Sequence, residues 1–136
     1  MDVETALAEA AKAMPGVVSV YLFGSVAEGR DHRESDVDVG VLLDWAMYPS
    51  SQERFEVRLR LIEGMTSAVR RDADVVILND APPQLGRAVI HRGRRIYCTN
   101  PELDHAFVRD TQLLAADLDP WLRKMRAIKL ETLSSR

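Results

Sequence analysis

The strongest constraint on this chain lies between residues 17 and 44. Val17 to Phe23 is rich in β-branched and aromatic residues, reads as a buried strand, and stops abruptly at Gly24-Ser25. After a further ten residues, Asp36 and Asp38 stand at a spacing of two in the apolar stretch Val37, Val39, Val41, Leu42, Leu43. In a strand that spacing turns both carboxylates to one face and Val37 and Val39 to the other. Two like charges side by side on a half-buried strand repel each other and lose hydration, so a purely structural strand has little use for them. A divalent cation removes the objection, because Mg²⁺ prefers carboxylate oxygens and is completed by substrate phosphates. Gly24 allows the backbone to approach a phosphate, and Ser25, if it opens a helical turn, sets N–H groups and a hydroxyl beside it. The two runs together therefore point to a nucleotide-metal site.

The remaining sequence supplies helices around such a strand pair. Val3, Leu7, Ala10 or Ala11, and Met14 follow helical spacing, with Asp2 available as cap and Pro15-Gly16 as stop. Trp45, Met47 and Tyr48 make the 44–49 connector unusually apolar; the simpler expectation folds them back onto the core, the other exposes them to a partner or a base. Ser50-x-x-Glu53 is a capping box, and Phe55, Leu59, Ile62, Thr66 and Val69 predict the buried stripe of a helix over 51–69, with Arg54, Arg58 and Glu63 outward. Asp72 to Leu78 is a second strand that begins with acids, parallel to the first acidic one across a βαβ-like unit. Pro82-Pro83 opens a helix through about Ile90, and Arg94 to Thr99 reads as a short strand. Asn100-Pro101-Glu102 begins a helix with Leu103, Phe107, Leu114 and Leu118 as its stripe. Asp119-Pro120 is expected to restart that helix with a second stripe of Trp121, Met125, Ile128 and Leu133.

Composition narrows the classes. At 136 residues with 46% apolar and 29% charged residues, the chain reads as one soluble domain with an ordinary core. A net charge of −3 gives no basic field for direct nucleic-acid binding. The lone Cys98, the absence of a basic-plus-apolar leader and the absence of a membrane-length apolar run lead to the expectation of a cytoplasmic protein. His91-Arg92-Gly93-Arg94-Arg95 is the densest basic cluster and reads first as a solvated turn; His32 and His105 are isolated.

Gly24-Ser25, ten residues, then Asp36-x-Asp38 resembles the signature of the DNA polymerase β-like nucleotidyltransferase superfamily. The short length and the Arg94 to Trp121 pattern resemble the minimal nucleotidyltransferase antitoxins paired with HEPN-type RNase toxins. The resemblance implies an α/β (α+β) fold: a small mixed sheet flanked by helices, in a single domain 1–136 whose C-terminal helices, residues 101–133, embrace the partner. It also implies catalytic and metal-binding roles for Asp36, Asp38 and a third carboxylate on a neighbouring strand. Asp72 and Asp74 share parity, so periodicity does not separate them; Asp74 is preferred because it abuts the buried run. Gly24, Ser25 and Arg30 are the implied nucleotide-binding residues, two Mg²⁺ ions the cofactors and ATP the substrate. Many antitoxins of this group carry Arg where this chain has Glu28, a charge that Arg30 or Arg33 would supply.

The function so implied is that of a type VII-like antitoxin, an adenylyltransferase that moves AMP from ATP onto a tyrosine of its cognate HEPN RNase. Two other readings stay open at this level. One is a small-molecule nucleotidyltransferase like the aminoglycoside-modifying relatives, although only 62 residues follow Asp74. The other is an inert antitoxin that masks its toxin by contact alone.

Overall fold

The computed structural model describes residues 1–29 and 36–134. Helix α1, Val3–Lys12, starts where the Asp2 carboxylate accepts the Thr5 N–H at 2.8 Å, and Glu4 and Lys12 sit at the ends that suit the helix dipole. Its Ala6, Leu7 and Ala11 are buried. The chain then turns at Gly16, whose φ of +84° suits a residue without Cβ. Strand β1, Val17–Phe23, is buried along nearly its whole length because it runs between two neighbours. A four-residue helix α2, Gly24–Ala27, follows at once. After residues 30–35, strand β2, Val37–Leu43, returns antiparallel to β1.

Helix α3, Ser51–Val69, begins at the anticipated capping box, with the Glu53 N–H donating to Ser50 Oγ at 3.1 Å and the hydroxyl donating to Glu53 Oε1 at 2.9 Å. It carries the chain across to β3, Ala73–Ile77, which lies parallel to β2. A 3₁₀ turn, Leu78–Asp80, helix α4, Pro83–Arg92, and strand β4, Arg94–Cys98, come next. The mixed sheet has the order β3-β2-β1-β4, the small mixed sheet with flanking helices that the family resemblance implied. One face packs Val20, Leu22, Val39 and Val41 against Leu7 of α1 and Val57, Leu61 and Met65 of α3. The other buries Val18, Tyr21 and Leu42 with Leu78, Val89 and the partly buried Phe107. Gly40 lets α4 approach β2, since a Cβ there would meet Val89 Cγ1 at 3.0 Å.

Several expectations are corrected. The buried face of α3 is Arg54, Val57, Leu61 and Met65, while Phe55 and Leu59 are exposed and Ile62 and Val69 lie at the margin. Both stripes have helical spacing. The phase is decided by Arg54, 6% exposed, which meets Asp80 through Nε and Nη2 and donates from Nη1 to the Tyr48 carbonyl at 2.8 Å. Secondly, α5 runs unbroken from Pro101–Ser134, through Asp119-Pro120. A proline withdraws one N–H from the ladder and its ring crowds the carbonyl one turn earlier, yet the helical backbone continues on both sides of Pro120.

The buried stripe of α5 also differs, being Asp104, Thr111 and Ala115, whereas Leu103 and Leu114 are exposed. Asp104, 1% exposed, accepts Ser19 Oγ and Tyr21 Oη at 2.7 Å each and Arg95 Nη1 at 2.8 Å, so a carboxylate rather than a leucine seats the helix on the sheet. Met125 and Ile128 of the second stripe are exposed; the side chains of Leu118, Trp121 and Leu133 lie outside the described residues. In the 44–49 connector Tyr48 folds back, its hydroxyl donating to the Pro15 carbonyl at 2.6 Å, and the Met47 sulfur lies beside its ring against Gly16. Trp45 and Met47 stay about half exposed, with the Arg54 guanidinium 4.8 Å from the Trp45 ring centre. In the basic turn, Arg94 and Arg95 are bonded rather than merely solvated: Arg94 pairs with Glu4, and Arg95 with Asp104.

Candidate active site

Strand register assembles the site. Phe23 pairs with Asp38 across β1 and β2, so the Gly24-Ser25 bend is delivered beside the Asp38 side chain. Asp38 in turn pairs with Asp74 across β2 and β3. Gly24, Asp38 and Asp74 thus meet at one end of the sheet, with Asp36 two residues before Asp38 on an exposed approach. Alternation sets Asp38 on the face opposite Val37 and Val39. Asp72 precedes β3 and is exposed; its carbonyl accepts the Val37 N–H at 2.9 Å, tying the two strand starts together.

The bend is shaped for close approach. Gly24 has φ +77°, and a Cβ built on it would overlap the Asp38 carboxylate. Phe23 caps α2 without a side-chain hydrogen bond, so the cap residue itself takes none of the first-turn N–H groups, that of Ser25 among them. Arg94 Nη1 donates to the Ala27 carbonyl at 3.0 Å and so holds the far end of α2. Arg30, with His32 and Arg33, lies outside the described residues.

Electrostatics mark the carboxylates as a group. Partial burial raises the Asp38 carboxyl above the ordinary range, and the charges of Asp74 and Asp36 push it further the same way. Asp74, exposed, has Arg58 Nη2 3.7 Å from its Oδ1. Among the described residues no three acids, histidines or cysteines are already closed into a finished cation site. The donor chemistry nevertheless suits a hard divalent cation: three carboxylates within electrostatic reach, one of them disfavoured as an anion by the other two.

The sequence pattern singles out neither Arg58 nor Arg94: the Phe55–Leu59 phase turns Arg58 to solvent, and Arg94 belongs to a basic turn. No local pattern marks either one, since each acts on a segment distant in sequence.

The model of the polymerase beta nucleotidyltransferase family matches residues 5–102. The chain belongs to that family. This nucleotidyltransferase is 32% identical over 89 residues to the protein adenylyltransferase MntA of Shewanella oneidensis, a match covering 65% of the chain and 60% of that relative's length. A crystal structure of a toxin-antitoxin with AMP-PNP is 27% identical, with a TM-score of 0.72, over 96% of this chain and 98% of the other. A tri-AMPylated Shewanella oneidensis HEPN toxin in complex with its MNT antitoxin includes a chain 24% identical, with a TM-score of 0.66 and 96% of each chain covered, which shares the fold. The family model ends at residue 102, whereas the structural likeness extends over nearly all of α5.

Proposed function

We propose that this nucleotidyltransferase is the antitoxin of a type VII-like toxin-antitoxin pair and transfers AMP from ATP to a tyrosine hydroxyl of a HEPN-family RNase toxin. The observation that carries the proposal is the juxtaposition of Asp38, Asp74 and the Gly24 bend, with Asp36 close enough to act on Asp38. Its support from relatives is the adenylyltransferase name of the Shewanella oneidensis protein and the AMP-PNP of the toxin-antitoxin structure. The HEPN acceptor and its tyrosine follow from the resemblance of the short chain and its Arg94 to Trp121 pattern to antitoxins paired with HEPN-type RNase toxins.

In this reading the N–H groups and hydroxyl at Ser25 receive the triphosphate, which Gly24 admits close to the backbone. Arg30 is the proposed cationic contact to the phosphates in place of the Arg lost at Glu28. Asp36, Asp38 and Asp74 would hold Mg²⁺, two ions in all, supplying charge neutralisation on the phosphates and a lowered pKa for the acceptor hydroxyl. Asp74, on the exposed rim, accepts the proton of that hydroxyl as its oxygen bonds to the α-phosphorus; the bond from the α-phosphorus to the bridging oxygen breaks and pyrophosphate leaves. Positioning and charge neutralisation dominate such a displacement, and no covalent enzyme intermediate is needed.

Helix α5 supplies the proposed partner surface over 101–133, within the single domain 1–136. Leu113, Leu114, Met125 and Ile128 are exposed along it, and Trp45 with Leu103 and Leu114 borders an apolar cleft of about 440 Å³. No described helix is long and apolar enough to cross a membrane, and the cytoplasm is the proposed location. The test is to incubate the protein with ATP, Mg²⁺ and the HEPN product of a neighbouring gene and weigh that product. A gain of one or more AMP units that disappears with Asp36→Asn supports the proposal. Tight binding without added mass points to an inert antitoxin, and AMP appearing only on small hydroxyl compounds points to a small-molecule transferase.

A further inference from the structure

The phase of α3 places one basic side chain against the rim of the sheet. Among the described residues β3 has a strand neighbour on one side only, β2, so its outer backbone groups have no ladder to join. Arg58 takes that place at Val75, its Nε donating to the Val75 carbonyl at 2.6 Å. From the same seat its Nη2 faces Asp74 Oδ1 at 3.7 Å. One guanidinium thus grips the backbone of residue 75 and addresses the carboxylate of residue 74.

Asp74 is acted on from two sides. Asp38 stands directly across the strand pair and repels it, while Arg58 attracts it from the outer side. With 59% of its side chain exposed, Asp74 would otherwise sample several rotamers at the strand end. An ion pair this open adds little to folding stability, so its consequence is orientation. Arginine suits the task because its planar fork presents Nε and Nη2 to two acceptors together and its charge does not titrate.

We propose that Arg58 is the positioning residue of the third carboxylate: anchored on the rim of β3, it orients Asp74 before a divalent cation arrives and thereby sets how tightly that cation binds. The inference rests on reading Asp36, Asp38 and Asp74 as the cation's ligands. Polar groups that brace metal-binding side chains typically contribute about 10-fold to 100-fold in metal affinity.

The experiment is Mn²⁺ binding followed by electron paramagnetic resonance, on the full chain with a non-hydrolysable ATP analogue. It compares wild type, Arg58→Ala, Arg58→Gln, Arg58→Lys, Asp74→Asn and the double variant Arg58→Ala with Asp74→Asn. The expected result is a loss of roughly tenfold or more in Mn²⁺ affinity for the Ala and Gln variants. Lys should recover part of it, and the double variant should bind no more weakly than Asp74→Asn alone. In turnover, the Mg²⁺ concentration at half-maximal rate should rise while the ATP KM at saturating Mg²⁺ stays that of wild type. Wild-type Mn²⁺ affinity in folded Arg58→Gln, or additive losses in the double variant, would overturn the proposal; Arg58→Gln decides the matter if Arg58→Ala unfolds by circular dichroism. Asp36→Asn separates the two levels. If it keeps wild-type Mn²⁺ affinity and transfer, the ligand reading fails; if it loses both while the Arg58 variants do not, only the role of Arg58 fails.

Discussion

Gly24 lies so close to Asp38 that no side chain fits between the bend and the carboxylate. Its φ of +77° adds a second demand for glycine at the same place. Gly24→Ala is therefore expected to destabilise the fold by about 1–3 kcal/mol and to abolish nucleotidyl transfer, because the bend can accommodate a Cβ only by displacing Asp38. Urea denaturation and a transfer assay check both halves. Full activity in Gly24→Ala would separate the bend from the chemistry.

Asp38 carries a raised carboxyl pKa from burial and from its two acidic neighbours, so ionising it works against the folded state. Both states hold the proton below the unfolded pKa of about 4. Stability is then lost as pH rises from there through the higher folded pKa, where the unfolded chain has already released its proton. Asp38→Asn should melt like wild type in strong acid and slightly above it at neutral pH, with transfer abolished. Thermal melts in a chelator across this range provide the check, and a variant less stable than wild type at neutral pH would contradict the account.

Asp104 answers three donors from two strands with one buried carboxylate. Asp104→Ala leaves Ser19, Tyr21 and Arg95 without their acceptor and should cost about 3 kcal/mol. The same network pushes the Tyr21 phenol pKa upward, through burial first and Asp104 second. Its contribution is present below about pH 10 and is lost as pH rises through the folded value, so Tyr21→Phe should flatten the alkaline limb of the stability curve. Chemical denaturation at pH 7.5 and pH 10.5 measures both effects.

Arg54 is held by Asp80 and the Tyr48 carbonyl inside the α3 face. Arg54→Ala should destabilise by roughly 2–4 kcal/mol, and Arg54→Lys should restore little of it, since an ammonium group cannot reproduce the fork. Equal stability of the Lys variant and wild type by urea titration would refute this.

Leu114 is exposed on α5, and Leu114→Asp should change stability by no more than about 0.5 kcal/mol. The same change should weaken a complex with the HEPN partner at least tenfold by calorimetry if α5 is the docking face. Unchanged affinity would move the interface elsewhere.

The elements were legible where local chemistry is self-contained. The Asp2 and Ser50 caps, the Gly24 stop of β1 and the proline at the start of α4 all act within a few residues. The meeting of Gly24 with Asp38 was legible too, because an apolar strand, a glycine bend and a same-face acid pair each carry their own pattern. The inward faces of α3 and α5 were not. Phe55–Leu59 and Val57–Leu61 have equal claims on periodicity, and the choice between them fell to Arg54 meeting Asp80, 26 residues away. On α5 it fell to Asp104 meeting Ser19, 85 residues away.

Residue order alone, through caps, strand-forming runs and the spacing of two aspartates, determined which segments are helix or strand and which side chains could share a face. Tertiary structure decided which helical faces turn inward, placed Asp74 rather than Asp72 opposite Asp38, and brought Arg58 to the rim of β3. Those outcomes depend on strand register and on buried polar pairs between distant segments, whose energies exist only once the segments are packed.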